Sequence, residues 1–171
     1  MKTLILLVMH GVPPSDFPTD ELNEFFGLAG RLRHAAPAER PALEARRRAL
    51  EDRMRNWTRT PQNDPFYFAS LELAEGLGAA AGLEVRLAFN EFCAPDVGTA
   101  LEGIASERGG RILVVTTMMT RGGEHSEIEI GKAIETARRR HPGIEIIYAW
   151  PYETGEVAGF LADHIRRFLP G

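Results

Sequence analysis

Thr3-Leu4-Ile5-Leu6-Leu7-Val8-Met9-His10-Gly11 is an unbroken apolar run that ends in an imidazole and a glycine. A run without alternation reads as a strand buried on both faces, as in a parallel sheet covered by helices. In open α/β sheets, ligands bind beyond the carboxyl ends of the strands. The run therefore carries His10 to the place where such folds do chemistry, with Gly11 beside it to let a ligand come close.

Working outward, three more runs read as strands: Glu84–Phe89, Arg111–Thr117 and Ile144–Trp150. Between and after them, apolar residues recur at helical spacing. Asp96–Arg108 carries Val97, Leu101, Ile104 and Ala105 on one face, and Ser126–Arg140 carries Ile130, Ala133, Ile134 and Ala137. Thr154–Phe168 carries Val157, Phe160, Leu161, Ile165 and Phe168. Pro65–Ala81, closed by Gly82, presents Phe68, Leu71, Leu73, Leu77 and Ala81 for packing. Stop signals are legible at Gly109-Gly110 and at His141-Pro142-Gly143, the latter after three arginines placed to complement the helix dipole. Strand alternating with helix predicts an α/β fold: a four-stranded parallel sheet flanked by helices, joined by right-handed crossovers.

The stretch from Val12 to Asp64 breaks that rhythm, because a βα connection is normally a few residues and this one is about fifty. Thr19 and Asp20 are placed to cap a helix bearing Leu22, Phe25, Phe26, Ala29 and Leu32. After Pro37, a second helix over Ala38–Trp57 bears Leu43, Leu50, Met54 and Trp57 near heptad spacing. Its other faces hold Arg40, Arg46, Arg47, Arg48, Arg53 and Arg55, read as a solvated face or else as a contact for a subunit or an anion. The expectation is one α/β domain over residues 1–171, with a helical hairpin inserted at 12–64.

Composition excludes several classes. A net charge of −4 over 171 residues gives no basic field, so nucleic acid is not implied. Cys93 is the only cysteine, which rules out an intrachain disulfide and fits a reducing, cytoplasmic setting. Lys2 and the apolar residues after it imitate a signal peptide, but the stretch is short, lacks a cleavage pattern and ends in His10-Gly11. No apolar run approaches the roughly 20 residues of a membrane helix. A histidine phosphatase would want arginine where Met9 stands, and no Gly-x-Ser-x-Gly elbow marks a serine hydrolase.

Three candidate groups follow strands: His10 after the first, Glu91 after the second and His125 after the third. Two neutral imidazoles and a carboxylate suit a first-row divalent ion such as Co²⁺, Fe²⁺, Ni²⁺ or Zn²⁺. The bland alternative is that each caps a helix or lines a polar cleft. Glu129, four residues after His125, reads best as an exposed acid near a helix start. Cys93 reads as a buried thiol, and one of Met118 and Met119 as packing. Arg121 is placed to pair with a substrate carboxylate.

These motifs together resemble the sirohydrochlorin chelatases of the CbiX/SirB type, the class II chelatases. The likeness rests on Val8-Met9-His10-Gly11, on Ala88-Phe89-Asn90-Glu91-Phe92-Cys93-Ala94-Pro95, on Gly122-Gly123-Glu124-His125, and on Ala137 to Ile146 with Tyr148 and Pro151 behind it. It covers Thr3–Gly11 and then Asp64 to near the end, about 120 residues once the insertion is removed, the size of the short, single-module members. It departs at Val12, where members usually have serine, and at Glu124, between the glycine pair and His125.

The resemblance implies a chelatase-like fold of flavodoxin-like βα repeats. It implies insertion of Co²⁺ or Fe²⁺ into sirohydrochlorin or a related tetrapyrrole, in cobalamin or sirohaem biosynthesis. It assigns His10, Glu91 and His125 to the metal and makes the histidines catalytic, as acceptors of pyrrole protons. Arg121 and Met119 would face the macrocycle. The divalent metal (Co²⁺, Fe²⁺ or Ni²⁺) enters as substrate, no other cofactor is implied, and a single module implies a homodimer. The competing expectation is a non-catalytic metal- or tetrapyrrole-binding protein on the same fold.

Overall fold

The computed structural model describes residues 2–107 and 110–170. The expected helix end at Arg108 and the Gly109 half of the double-glycine stop lie outside the described residues. Four strands form one parallel sheet in the order β2-β1-β3-β4: β1 Thr3–Met9, β2 Glu84–Phe89, β3 Arg111–Thr116 and β4 Glu145–Tyr148. The last two are shorter than their apolar runs, because Thr117 and then Ala149-Trp150 turn into the loops beyond the sheet. β1 is buried along nearly its whole length, as an unalternating apolar strand at the centre of a covered sheet should be.

Helices α4 (Val97–Glu107) and α5 (Ile130–Arg140) cover one face. Leu101, Ile104, Ile130, Ile134 and Ala137 meet Leu4, Leu6, Val8, Ile112, Val114 and Ile146 there, as the helical spacing predicts. Helix α3 (Pro65–Ala81) lies on the other face over β1 and β2, with the Asp64 carboxylate accepting from the Tyr67 N–H and Gly82 in the left-handed conformation at its end. Its packed side differs from the expected one. Phe66, Tyr67, Ala74 and Leu77 meet Leu7, Met9 and Phe89, whereas Leu71, Leu73 and Ala81 are exposed. The helix is apolar almost all round, so spacing alone did not mark its inner face.

Between β1 and α3 the chain forms two helices that pack on each other, α1 (Thr19–His34) and α2 (Arg40–Arg55). Phe25, Leu28, Leu50 and Met54, with Phe17 and Phe92, form a separate core cluster, flanked by Leu22, Leu43 and Trp57. Two local expectations fail. Pro18 occupies the cap of α1 and no side chain caps it, so Thr19 and Asp20 are inside the helix. Leu28 is buried where Phe26 and Ala29 are exposed, so the stripe keeps Leu22 and Phe25 and is turned only by a small fraction of a turn toward Leu28.

The arginine face is also not simply solvated. Arg46 pairs with Glu24, Arg53 with Glu21, and Arg55 turns inward. The last helix, α6 (Thr154–Arg166), buries none of its residues. The expected stripe of Phe160, Leu161, Ile165 and Phe168 is present but exposed.

Candidate metal centre

The order of strands puts β1 between β2 and β3, so the loops that follow these three strands are neighbours at one end of the sheet. Each contributes one side chain. Nε2 of His10 lies 3.7 Å from Oε2 of Glu91, and Nε2 of His125 lies 3.9 Å from the same oxygen. The imidazoles meet edge to face with centroids 4.9 Å apart. One ligand atom from each of the three residues lies within 4.8 Å of the others. For bonds of about 2.1 Å to a first-row ion, neighbouring ligand atoms stand about 3–4 Å apart, so side-chain adjustments of under about 1 Å would close the set on a cation.

The hydrogen bonds of the two rings fix which nitrogen faces the centre. Nδ1 of His10 is 2.9 Å from the Gly11 carbonyl oxygen, which only accepts. Nδ1 of His125 is 2.8 Å from a carboxylate oxygen of Glu129. Both rings therefore carry the proton on Nδ1 and, when neutral, present the Nε2 lone pair to the centre, the arrangement in which a second partner orients a metal-binding histidine. Asn90 donates to the same Glu129 oxygen at 3.1 Å. The Glu129 hydrogen bond raises the His125 pKa above its ordinary value, against a smaller opposing effect of burial. Glu129 is thus not a bare exposed acid: the i,i+4 spacing places it on His125, at the ring nitrogen away from the centre.

His125 opens a π turn, His125–Glu129, which runs into α5. The expected helix start at Ser126 is thus a wider turn, a form that recurs at functional sites. Glu127 accepts from the Gly122 N–H at 2.6 Å, and Tyr148 O–H donates to the Ser126 carbonyl at 2.7 Å, tying the turn to its loop and to β4.

The Glu91 loop is held tightest. The Glu91 N–H donates to the His10 carbonyl at 2.9 Å. Gly11 has φ +94°, and a Cβ there would sit 2.0 Å from the Glu91 carbonyl oxygen, so this close approach requires glycine. Phe92 takes a left-handed φ of 59°, rare for a bulky residue, while its ring enters the α1–α2 core.

Two arginines brace the loop from behind. Arg55 donates to the carbonyls of Asn90 at 2.8 Å and Cys93 at 2.9 Å. Arg59 is buried against Asp64 at 2.6 Å and also donates to the carbonyls of Val12, Met54 and Phe92. Sequence reasoning missed both roles. An arginine that serves loop carbonyls carries no spacing signal.

Cys93 is buried, with its thiol pKa raised by burial, as expected for a packing residue. Met118 packs on the sheet core. Met119 and Arg121 are not among the three converging residues. They line a cavity of about 360 Å³ with Thr120, Tyr152, Thr154, Val157, Ala158 and Leu161, between the loop after β3 and the start of α6.

A family model described as CbiX matches residues 67–164. Among solved structures, SirB from Bacillus subtilis with Fe3+ is 17% identical with a TM-score of 0.53, a likeness that covers 99% of this chain and 49% of that one and shows the fold. The sirohydrochlorin chelatase SirB from Bacillus subtilis subspecies spizizenii in complex with cobalt is 19% identical, with a TM-score of 0.48, over 99% of this chain and 51% of that one. A CbiX protein from Marinobacter aquaeolei VT8, described as a cobalamin (vitamin B12) biosynthesis protein, is 14% identical, with a TM-score of 0.46, over 98% of this chain and 94% of that one. The chain spans about half the length of the SirB chains it matches. No curated protein matches it in sequence.

Proposed function

The chain belongs to the CbiX family, and from that premise we propose that it inserts a divalent metal, Co²⁺ or Fe²⁺, into sirohydrochlorin or a related tetrapyrrole. The observation that carries this reading is the convergence of His10, Glu91 and His125, with both Nε2 lone pairs directed to one point. The ion is a substrate: two imidazoles and a carboxylate hold it, half-exposed, at an open end of the sheet. Neutral nitrogen ligands and one carboxylate bind a first-row ion while leaving it exchangeable. As the ion passes to the ring, two pyrrole N–H protons must leave. The His10 and His125 lone pairs freed by the departing ion are positioned to accept them, as an imidazole can. Glu129 and Asn90 hold His125 in register for both tasks.

Met119 and Arg121, in the cavity between the loop after β3 and the start of α6, would meet the macrocycle, the first through its thioether and the second through a peripheral carboxylate. Residues 12–64 are an insertion in the chelatase-like domain. The family match starting at residue 67 and the separate core of α1 and α2 support this. A homodimer in the cytoplasm, serving cobalamin or sirohaem synthesis, completes the proposal. The half-length relation to the SirB chains supports two copies. Among the described residues, no helix is long and apolar enough to cross a membrane.

The test is to add Co²⁺ or Fe²⁺ and sirohydrochlorin to the protein and follow the absorption change of metal insertion. A rate above the spontaneous one, lost in His10→Ala and His125→Ala, is expected. Cobalt affinity without turnover would instead identify a metal- or tetrapyrrole-binding protein.

A further inference from the structure

The tip of the helical hairpin, where α1 ends and α2 begins, is strongly basic in an acidic chain. Residues 31–48 carry six arginines against two glutamates, while the whole chain has a net charge of −4. Where the two helices face each other, arginines are matched with acids. Arg46 pairs with Glu24 at 2.6 Å, and Arg53 with Glu21.

A second set of arginines is treated differently. Leu32, Arg40, Glu44, Arg47 and Arg48 line a cavity of about 360 Å³. Arg48 reaches Glu44 at 3.7 Å with its side chain 76% exposed. Among the described residues, Arg40 and Arg47 have no carboxylate partner. Arg47 is the fixed member of the set. Its guanidinium lies over the ring of buried Phe25, 5.0 Å from the centroid. A guanidinium held flat on an aromatic face keeps its N–H edge for a carboxylate or phosphate. Its Nε is buried and, among the described residues, meets no acceptor, which is a cost a folded chain ordinarily avoids. The first turn of α2 holds no acid and no side chain caps it, so the positive end of the helix dipole adds to the arginines. Like charges converging on one concavity repel, whereas charge placed for solubility is interspersed with the opposite sign.

We propose that this cavity binds a small polyanion, a molecule bearing two or more phosphate or carboxylate groups. Arg47 is the fixed fork, and Arg40 and Arg48 close on the ligand from the rim. Glu44 offsets one of the three charges through Arg48, which leaves a positive seat. The volume is that of a small-molecule site, not of a flat surface contact. The site lies outside the stretch that matches the family, which begins at residue 67, and does not depend on the chemistry proposed for the metal centre.

Calorimetric titration of the metal-free, full-length protein with pyrophosphate and, separately, with citrate tests the proposal. The salt is set at about 0.15 M, where attraction to exposed charges alone is largely screened. Saturable binding of one molecule per chain is expected for at least one probe, with a rise in melting temperature. The preferred probe separates phosphate from carboxylate recognition. Arg47→Met keeps an apolar stem on Phe25 and removes the fork, and Arg40→Gln changes an exposed side chain. Each should weaken binding at least tenfold while circular dichroism stays native. Arg139→Gln on α5 and His10→Ala at the metal centre should bind as wild type does. Absence of saturable binding by both probes overturns the site. Unchanged affinity in either arginine variant also overturns it, as does loss of binding in His10→Ala, which would put the anion at the metal centre. Should Arg47→Met fail to fold, Arg40→Gln decides alone.

Discussion

Glu129 holds Nδ1 of His125 at 2.8 Å from a position four residues further along the same π turn. One turn of backbone thus supplies both a candidate metal ligand and the group that aims it. Removing such an outer partner typically costs 10–100-fold in metal affinity. Glu129→Gln should weaken Co²⁺ binding at pH 8 by about tenfold, as read by titration calorimetry, with little change in fold.

The same pair sets a pH dependence. The hydrogen bond to Glu129 raises the His125 pKa above its ordinary value. In the metal-free protein, its stabilisation is fully present below the unfolded-state histidine pKa of about 6.5 and is lost as pH rises through the raised folded value. The stability difference between wild type and Glu129→Gln, from urea unfolding, should therefore be larger at pH 6 than at pH 9. Protons compete with the ion for His125 over the same range, so the midpoint of cobalt binding against pH should move downward in Glu129→Gln.

Gly11→Ala should be costly, because Gly11 is buried in its loop. The added Cβ would overlap the Glu91 carbonyl oxygen, at a φ of +94° that alanine resists. A loss of about 2–4 kcal/mol in chemical denaturation is expected, together with loss of tight cobalt binding, because the clash moves the Glu91 loop.

Arg59→Met would leave Asp64 buried without its ion-pair partner. Breaking a buried pair on one side costs about 3–5 kcal/mol. Arg55, which is less buried and serves two loop carbonyls, should cost about 1–2 kcal/mol when replaced by Met. Its effect should be more visible in metal affinity than in melting, since its contacts flank Glu91.

Met54→Ala opens a cavity in the α1–α2 core, where Met54 is fully buried, and should cost about 2–5 kcal/mol. Phe92 joins that core to the Glu91 loop. The variant should lose cobalt affinity as well as stability, and calorimetry should show whether α1 and α2 melt with the sheet.

Much of this was legible in the residues. The β1 run, the α3 range closed by Gly82, and the three strand-end groups follow from apolar pattern, glycine stop chemistry and the rule that parallel strands deliver their ends to one side. The inner face of α3 was not legible, because an all-round apolar helix has no stripe to read. The exposure of α6 was not legible either: amphipathic spacing shows that a face wants burial but not what will bury it. Arg55 and Arg59 escaped for a different reason. They bond to carbonyls on segments more than thirty residues away, and backbone oxygens are the same in every sequence.

In chain order the three centre residues run His10, Glu91, His125, but across the sheet they run Glu91, His10, His125. Their spacing is therefore gauged by the rungs between adjacent strands, about 4.8 Å each, and not by the length of chain that separates them. The long excursion through α1 and α2 can be shortened or lengthened by evolution or by design without retuning the seat of the ion, provided Phe92 and the two bracing arginines keep a surface to grip.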